Sequence, residues 1–298
     1  FFFKQKTAYE IRLSLVGSEM CIRVRSGCLA KTLCAPLERV KIVLQTAKGG
    51  AGAGMVGTAR SIVNDQGARA LWRGNLTNCA RYFPTQAINF ACKERYQKAL
   101  VPDKATAGFA AWFAGYLAAG GAAGAPRLTV VYPLEFSYTR LAADVGKVKQ
   151  FPGGLPDVIS TIAKKDGVGG LYRGYPTSVA GIIVYRAGYF GFYDAGKQVF
   201  FADGGANTSI FLKFGLAMAV DISAACFAYP IDTVRRRLMM QSGSGADMQF
   251  NSASSAVKHI YKHEGAAGFF RGCMANNVRA IASALVLVLY DEAKKLTA

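Results

Sequence analysis

Tyr229-Pro230-Ile231-Asp232-Thr233-Val234-Arg235-Arg236-Arg237-Leu238-Met239-Met240-Gln241 follows an apolar run, Phe214 to Tyr229, that only Asp221 interrupts. Asp232 and Arg235, three apart, share one helix face, just after a proline that can kink the helix. Three consecutive arginines closing a membrane-grade segment are costly to place in lipid. They predict a water-filled site for an anion.

The opening phrase occurs twice more, as Pro36-x-Glu38-x-x-Lys41 and Pro133-x-Glu135, and both intervals are 97 residues (133 − 36 and 230 − 133). A second phrase follows each copy. It reads Asp65-Gln66-Gly67 then Trp72-Arg73-Gly74, Asp166-Gly167 then Tyr172-Arg173-Gly174, and Glu264-Gly265 then Phe270-Arg271-Gly272. Two linked phrases recurring together predict a threefold repeat of about a hundred residues.

Composition narrows the class. The 298 residues are 52% apolar with mean hydropathy +0.19, so a soluble protein would need a very large core. The net charge of +18 suits nucleic acid, anionic lipid or an anionic substrate. The basic residues punctuate apolar runs instead of forming one stripe, so nucleic acid is not expected. Seven cysteines (21, 28, 34, 79, 92, 226, 273) form no C-x-x-C and read as reduced thiols. His259 and His263 lack a clear third ligand, so no metal site is expected. Lys48 to Gly57 is Gly-rich but lacks the Gly-Lys-Ser/Thr end of a phosphate loop. With no Ser/His/acid set either, neither an enzyme nor a cofactor is expected.

Helices are predicted at Ser26–Thr46, Asn75–Val101, Ala105–Val145, Tyr175–Phe201, Ser209–Gln241 and from Asn276 to the end. Shorter ones, lying along the membrane surface, are predicted at Val56–Asp65, Leu155–Lys165 and Ser252–His263. Ala105 to Pro126 carries no charge across 22 residues, enough to span a bilayer. Its Gly120 and Gly124 have the spacing that lets membrane helices approach closely.

The paired phrases resemble the repeat of the mitochondrial carrier family. Arg235-Arg236-Arg237-Leu238-Met239-Met240 resembles the signature of its ADP/ATP carrier subgroup, which has Met where this chain has Leu238. Arg81-Tyr82-Phe83-Pro84-Thr85-Gln86-Ala87-Ile88-Asn89-Phe90, Gly181-Ile182-Ile183-Val184-Tyr185-Arg186 and Val286-Leu287-Val288-Leu289-Tyr290-Asp291-Glu292 match the same subgroup. The resemblance covers Gly27 to the C-terminus. It implies an all-α membrane protein of six transmembrane helices in three pseudo-symmetric repeats, with short surface helices on the matrix side. The repeats would span 24–102, with a truncated first helix, then 103–204 and 205–298. The implied function is an ADP/ATP antiporter of the mitochondrial inner membrane, working as a monomer. A carrier of another anionic substrate and a transport-dead, lipid-binding paralogue are the alternatives.

Residues 1–23 do not resemble the family. They resemble translated sequencing-adapter read-through and are expected to be non-native. Arg23 and Arg25 lie 13 and 11 residues before Pro36, or ~16–20 Å along a helix. Placed that deep in a bilayer, each would cost at least ~2.5 kcal/mol. A basic N-terminal arm is the alternative; a transit peptide is disfavoured by Glu10 and Glu19.

By resemblance, Lys31, Arg81 and Arg279 contact phosphates, and Gly181, Ile182 and Tyr185 form an adenine slot. Asn89, Lys93 and Arg186 match further cavity positions. Interhelical ion pairing is the alternative role of Arg81, Arg186 and Arg279, and core packing that of Tyr185. A matrix gate would pair Glu38 with Tyr138, Glu135 with Arg235 and Asp232 with Lys41. A cytosolic gate would pair Glu94 with Lys197, Asp194 with Lys294 and Asp291 with Gln97. Arg73-Gly74, Arg173-Gly174 and Arg271-Gly272 would hold cardiolipin at helix N-termini, or simply cap those helices. Tyr138 and Gln97 stand where the family has bases, and Ala228 where the subgroup has a small polar residue. Pro126-Arg127 and Asp221 are unusual for the family.

Overall fold

The computed structural model describes residues 27–46, 54–100, 115, 126–146, 148–200, 210–243 and 248–297. Side chains are described for these except at 89–100, 194, 195, 197–200, 210, 211, 213 and 287–297. The regular structure of the described residues is helical throughout. The helices are α1 (27–46), α2 (Gly54–Gln66), α3 (Asn75–Leu100), α4 (126–143), α5 (Leu155–Gly170), α6 (Tyr175–Phe200), α7 (Ile210–Gln241), α8 (Ala253–Glu264) and α9 (Cys273–Thr297). Most of the charge-free stretch before Pro126, with Gly120 and Gly124, lies outside the described residues, as do residues 1–26.

Each repeat is a proline-containing helix, a surface helix, a tight turn and a second long helix. The surface helices are anchored by one face. Thr58 and Ile62 are buried on α2, Val158 and Ile162 on α5, and Ala256 and Ile260 on α8, four apart each time. Backbone breaks recur at Gly67, Gly167 and Gly265, with φ of 82°, 70° and 67°, a conformation that favours glycine. The break at Gly167 interrupts α5, so its regular part stops close to the expected Lys165. Ser252, expected inside the third surface helix, instead caps it by accepting from the Ser255 amide.

A second glycine set joins each repeat to the next. Gly74, Gly174 and Gly272 have φ of 85°, 85° and 81°. A Cβ at Gly74 would sit 3.2 Å from the Tyr138 ring, at Gly174 3.1 Å from the Arg235 carbonyl, and at Gly272 3.1 Å from the Lys41 carbonyl. The start of α3 therefore abuts α4, that of α6 abuts α7, and that of α9 abuts α1, which closes a ring of three.

Three buried arginines tie the same ring. Arg39 on α1 donates to the carbonyls of Ala142 and Asp144 at the end of α4 (3.1 and 2.9 Å). Arg140 on α4 donates to Met240 at the end of α7 (2.9 Å), and Arg237 on α7 to Gln45 at the end of α1 (3.1 Å). Each satisfies a carbonyl left open at a helix C-terminus and places positive charge at its negative end.

The core gathers at this proline end. Leu128, Tyr132, Phe136, Leu141, Val158, Ile162 and Met239 pack together, and Val234, Leu238, Phe250 and Ile260 form a second cluster. Among the described residues, one helical stretch, Phe214–Gln241 of α7, is long and apolar enough to cross a membrane, with a mean hydropathy of 1.6.

Candidate functional site

The parts of α1, α4 and α7 that follow their prolines come together, and the acid–base phrases meet there. Arg235 donates to Glu135 at 2.8 Å, linking α7 to α4. Lys41 donates to Asp232 at 3.2 Å, linking α1 to α7. Tyr138 donates its hydroxyl proton to Glu38 at 2.7 Å, linking α4 to α1. The tyrosine that replaces a base thus still reaches the expected carboxylate. Gln45 adds a bond to Asp232 at 3.1 Å, and Asn78 one to Glu38 at 2.7 Å.

Above this ring lie three adjoining pockets of about 370, 260 and 280 Å³. Their walls carry Lys31, Lys41, Arg81, Arg127, Arg235, Arg236 and Arg279 against Glu38, Glu135, Asp221 and Asp232. Seven cations face four carboxylates, a surplus of three positive charges. Lys31 donates to Asn78 at 3.3 Å and stands 5.0 Å from the Tyr82 ring. Arg81 donates to Asn78 at 2.9 Å and lies 3.5 Å from Glu135. Arg279 donates to Asn276 at 3.3 Å and lies 3.7 Å from Glu38. The two arginines are therefore engaged by ring carboxylates while lining the cavity.

Arg81, Gly181 and Arg279 each stand seven residues after the glycine that starts their helix, so they form one layer. Two repeats supply a cation there and the third supplies no side chain. Gly181, Ile182 and Tyr185 line the largest pocket together with Ala225, Ala228 and Ile231. A Cβ on Gly181 would come within 3.3 Å of Ile231 Cγ2, so even alanine would crowd this wall. Tyr185 donates its hydroxyl proton to Asp221 and packs beside Tyr189, with ring centroids 6.3 Å apart.

The signature divides by direction. Arg235 and Arg236 reach the cavity, and Arg236 also lies 3.3 Å from Asp232. Arg237 does not, which corrects the expectation that all three serve an anion site. At 3.6 residues per turn, three consecutive side chains cannot share one face. Arg237 instead grips Glu264 with both terminal nitrogens, and Arg271 approaches the same carboxylate at 2.8 Å. Burial would raise the Glu264 carboxyl, but the Arg237 hydrogen bonds and the two guanidinium charges outweigh it and hold it below its ordinary value. Leu238 and Met239 are buried in the core clusters.

Arg186 is half-buried on α6 and is not among the residues lining these pockets. The side chains of Asn89, Lys93, Glu94, Gln97, Asp194, Lys197, Asp291 and Lys294 lie outside the described residues. The arginines of the three Arg-Gly pairs turn toward carboxylates: Arg73 to Asp144, Arg173 to Asp166 at 3.9 Å, and Arg271 to Glu264.

The family described as mitochondrial carrier protein matches residues 16–104, 110–204 and 206–298, three consecutive copies. The chain belongs to the mitochondrial carrier family. It is similar to the mitochondrial substrate carrier family protein ancA of Dictyostelium discoideum, 45% identical over 96% of this chain and 93% of that protein. It is also similar to ADP/ATP translocase 2 of Tachyglossus aculeatus aculeatus and ADP/ATP translocase 3 of Homo sapiens, each 46% identical over 91% of this chain and 94% of the relative.

Within this carrier, Arg39, Arg140, Asn78 and Asn276 belong to none of the repeated phrases or family-like stretches, and Arg237 belongs to the signature but caps a neighbouring helix. Arg140 and Arg237 both stand seven residues after their prolines, so aligning the repeats would have exposed their shared task. Arg39 does the same work from three residues after Pro36, off that register. Asn78 and Asn276, which hold Arg81 and Arg279, also sit at matching places four residues after Gly74 and Gly272.

Proposed function

We propose that this carrier exchanges ADP for ATP across the mitochondrial inner membrane, crossing it with six helices, two per repeat. The observation that carries the reading is the layer of Arg81, Gly181 and Arg279 above the closed ring. Two cations and a gap suit an asymmetric polyanion with a flat end. Lys31, Arg81 and Arg279 hold phosphates by charge-assisted hydrogen bonds, and the base lies against Gly181, Ile182 and Tyr185. The surplus of positive charge favours a polyphosphate over a monoanion. The names of the relatives, ADP/ATP translocases at 46% identity, point the same way.

The ring formed by Glu38–Tyr138, Glu135–Arg235 and Asp232–Lys41 is then the matrix gate in its closed state. Glu94, Gln97, Asp194, Lys197, Asp291 and Lys294 form the opposite gate. Alternate opening carries a central site from one face to the other. Arriving phosphates compete with Glu135 and Glu38 for Arg81 and Arg279, which couples substrate binding to loosening of the ring. The repeats divide at 24–102, 103–204 and 205–298. The carrier works as a monomer, and cardiolipin seats its phosphates on the amides after Gly74, Gly174 and Gly272.

Thermal unfolding of the purified carrier in mild detergent tests the substrate class. A ligand at a hundred times its dissociation constant stabilises by about 2.7 kcal/mol. ADP and ATP are expected to raise the midpoint, and AMP and dicarboxylates to leave it in place. Stabilisation by a dicarboxylate and not by ADP would overturn the nucleotide reading.

A further inference from the structure

The largest of the three pockets has a charged group at the end away from the ring. Asp221 is the one interruption in the apolar run of α7, and its carboxylate lines this pocket. Eleven residues separate it from Asp232, about 16 Å along the helix. Lys41, Arg235 and Arg279 line the far end of the same cavity. Among the described residues, no cation lies within ion-pairing distance of Asp221, and its one hydrogen-bond partner is the Tyr185 hydroxyl. The remaining carboxylate oxygen has no described donor.

A carboxylate in the cavity of an anion carrier works against the substrate unless it meets a part that carries no negative charge. The pocket supplies that separation. The wall that runs from Asp221 toward the gate is small and apolar, with Ala225 and Ala228 nearer the carboxylate and Gly181 beside Ile231 at the gate end, and the Tyr185 ring bridges the two levels. A flat heterocycle fits such a wall. Held there, it presents its ring edge to an oxygen that can only accept, since an ionised carboxylate has no proton to give. The edge that satisfies it carries an N–H.

We infer that Asp221 is a specificity-determining residue, accepting a hydrogen bond from the exocyclic amine of the nucleotide base. This rests on the adenine-nucleotide reading and adds to it. The cavity becomes dipolar, with cations drawing the phosphates toward the gate and a carboxylate drawing the amine the other way. Tyr185 contributes twice, as a ring beside the base and as the donor that fixes Asp221. A base without a donor at that edge leaves the second carboxylate oxygen dehydrated and without a donor, which is the costly outcome.

The test compares ADP with purine riboside 5′-diphosphate, which lacks the 6-amine, in liposomes containing the purified carrier. The unmodified carrier is expected to prefer ADP by about tenfold in KM, the size of one hydrogen bond to a charged acceptor. Asp221→Ala is expected to transport more weakly and to lose most of that preference. Tyr185→Phe, which keeps the acceptor, is expected to retain it. Equal KM values for the two nucleotides in the unmodified carrier would overturn the inference without touching the exchange reading. So would a preference that survives Asp221→Ala, or one that Tyr185→Phe removes as fully as Asp221→Ala, because the carboxylate would then serve only to position the ring. Uptake of neither nucleotide would overturn the exchange reading itself, and this inference with it.

Discussion

Replacing Tyr138 with phenylalanine should open the matrix gate. The ring packs against Ile42 and Ala142 and is buried, so phenylalanine keeps the packing and removes only the hydroxyl. That hydroxyl donates to Glu38 at 2.7 Å. A hydrogen bond to a charged acceptor contributes ~1.5–3 kcal/mol. Glu38 keeps its bond from Asn78 at 2.7 Å and the Arg279 charge at 3.7 Å, so the lower end, ~1.5 kcal/mol, applies. The open population should therefore rise about tenfold relative to the closed one. Spin labels at the exposed positions Val56 and Val148 can report the two populations as distances. A double-mutant cycle with Glu38→Gln isolates the pair, and a coupling below ~0.3 kcal/mol would refute the assignment. So would an unchanged distance distribution in Tyr138→Phe.

Lys31→Ala, Arg81→Ala and Arg279→Ala should each reduce exchange at least tenfold while unfolding temperatures change little; normal transport by all three would contradict the central site. Tyr138→Arg should shift the same spin-label distances toward the closed population by supplying a full ion pair to Glu38. Arg237→Ala should leave substrate affinity in the folded fraction near normal but destabilise by ~2–3 kcal/mol. Loss of a buried pair usually costs more, but Arg271 still faces Glu264 at 2.8 Å; thermal unfolding reads the loss. Acid unfolding should separate the unmodified carrier from Glu264→Gln. Because the folded-state carboxyl is lowered from about 4.5, its contribution is complete above that pH and is lost as pH falls through the lower folded value. The stability difference between the two proteins should shrink only below pH 4.5, and a difference that persists there would contradict the pairing.

The elements were legible because each carries its own punctuation. Prolines, the acidic residue and glycine that end each surface helix and the Arg-Gly turns mark the same places in all three repeats, and the helix ends that fall within the described residues lie within a few residues of the expected ones. The cross-repeat partners Glu38–Tyr138, Glu135–Arg235 and Asp232–Lys41 were legible too, since the family pattern says which carboxylate faces which base, and Tyr138 kept the geometry with a hydroxyl. Less legible was the division of the three arginines. A run of like residues hides the turn of the helix, and only the position of Glu264 reveals that Arg237 faces away from the cavity. The C-terminal caps made by Arg39, Arg140 and Arg237 were hidden for a different reason. They join residues about a hundred apart through backbone carbonyls, and a carbonyl has no signature in sequence. Asp221 stood out as a charge in an apolar run, but its place at the far end of the pocket required the fold.

Uptake of labelled ADP into liposomes containing the purified carrier tests the central claim most directly. Uptake should require ADP or ATP inside the vesicles, proceed one for one, and stop when the internal nucleotide is omitted or replaced by a dicarboxylate. Nucleotide uptake into empty vesicles at the same rate, or no uptake with internal nucleotide present, would contradict exchange through a single alternating site.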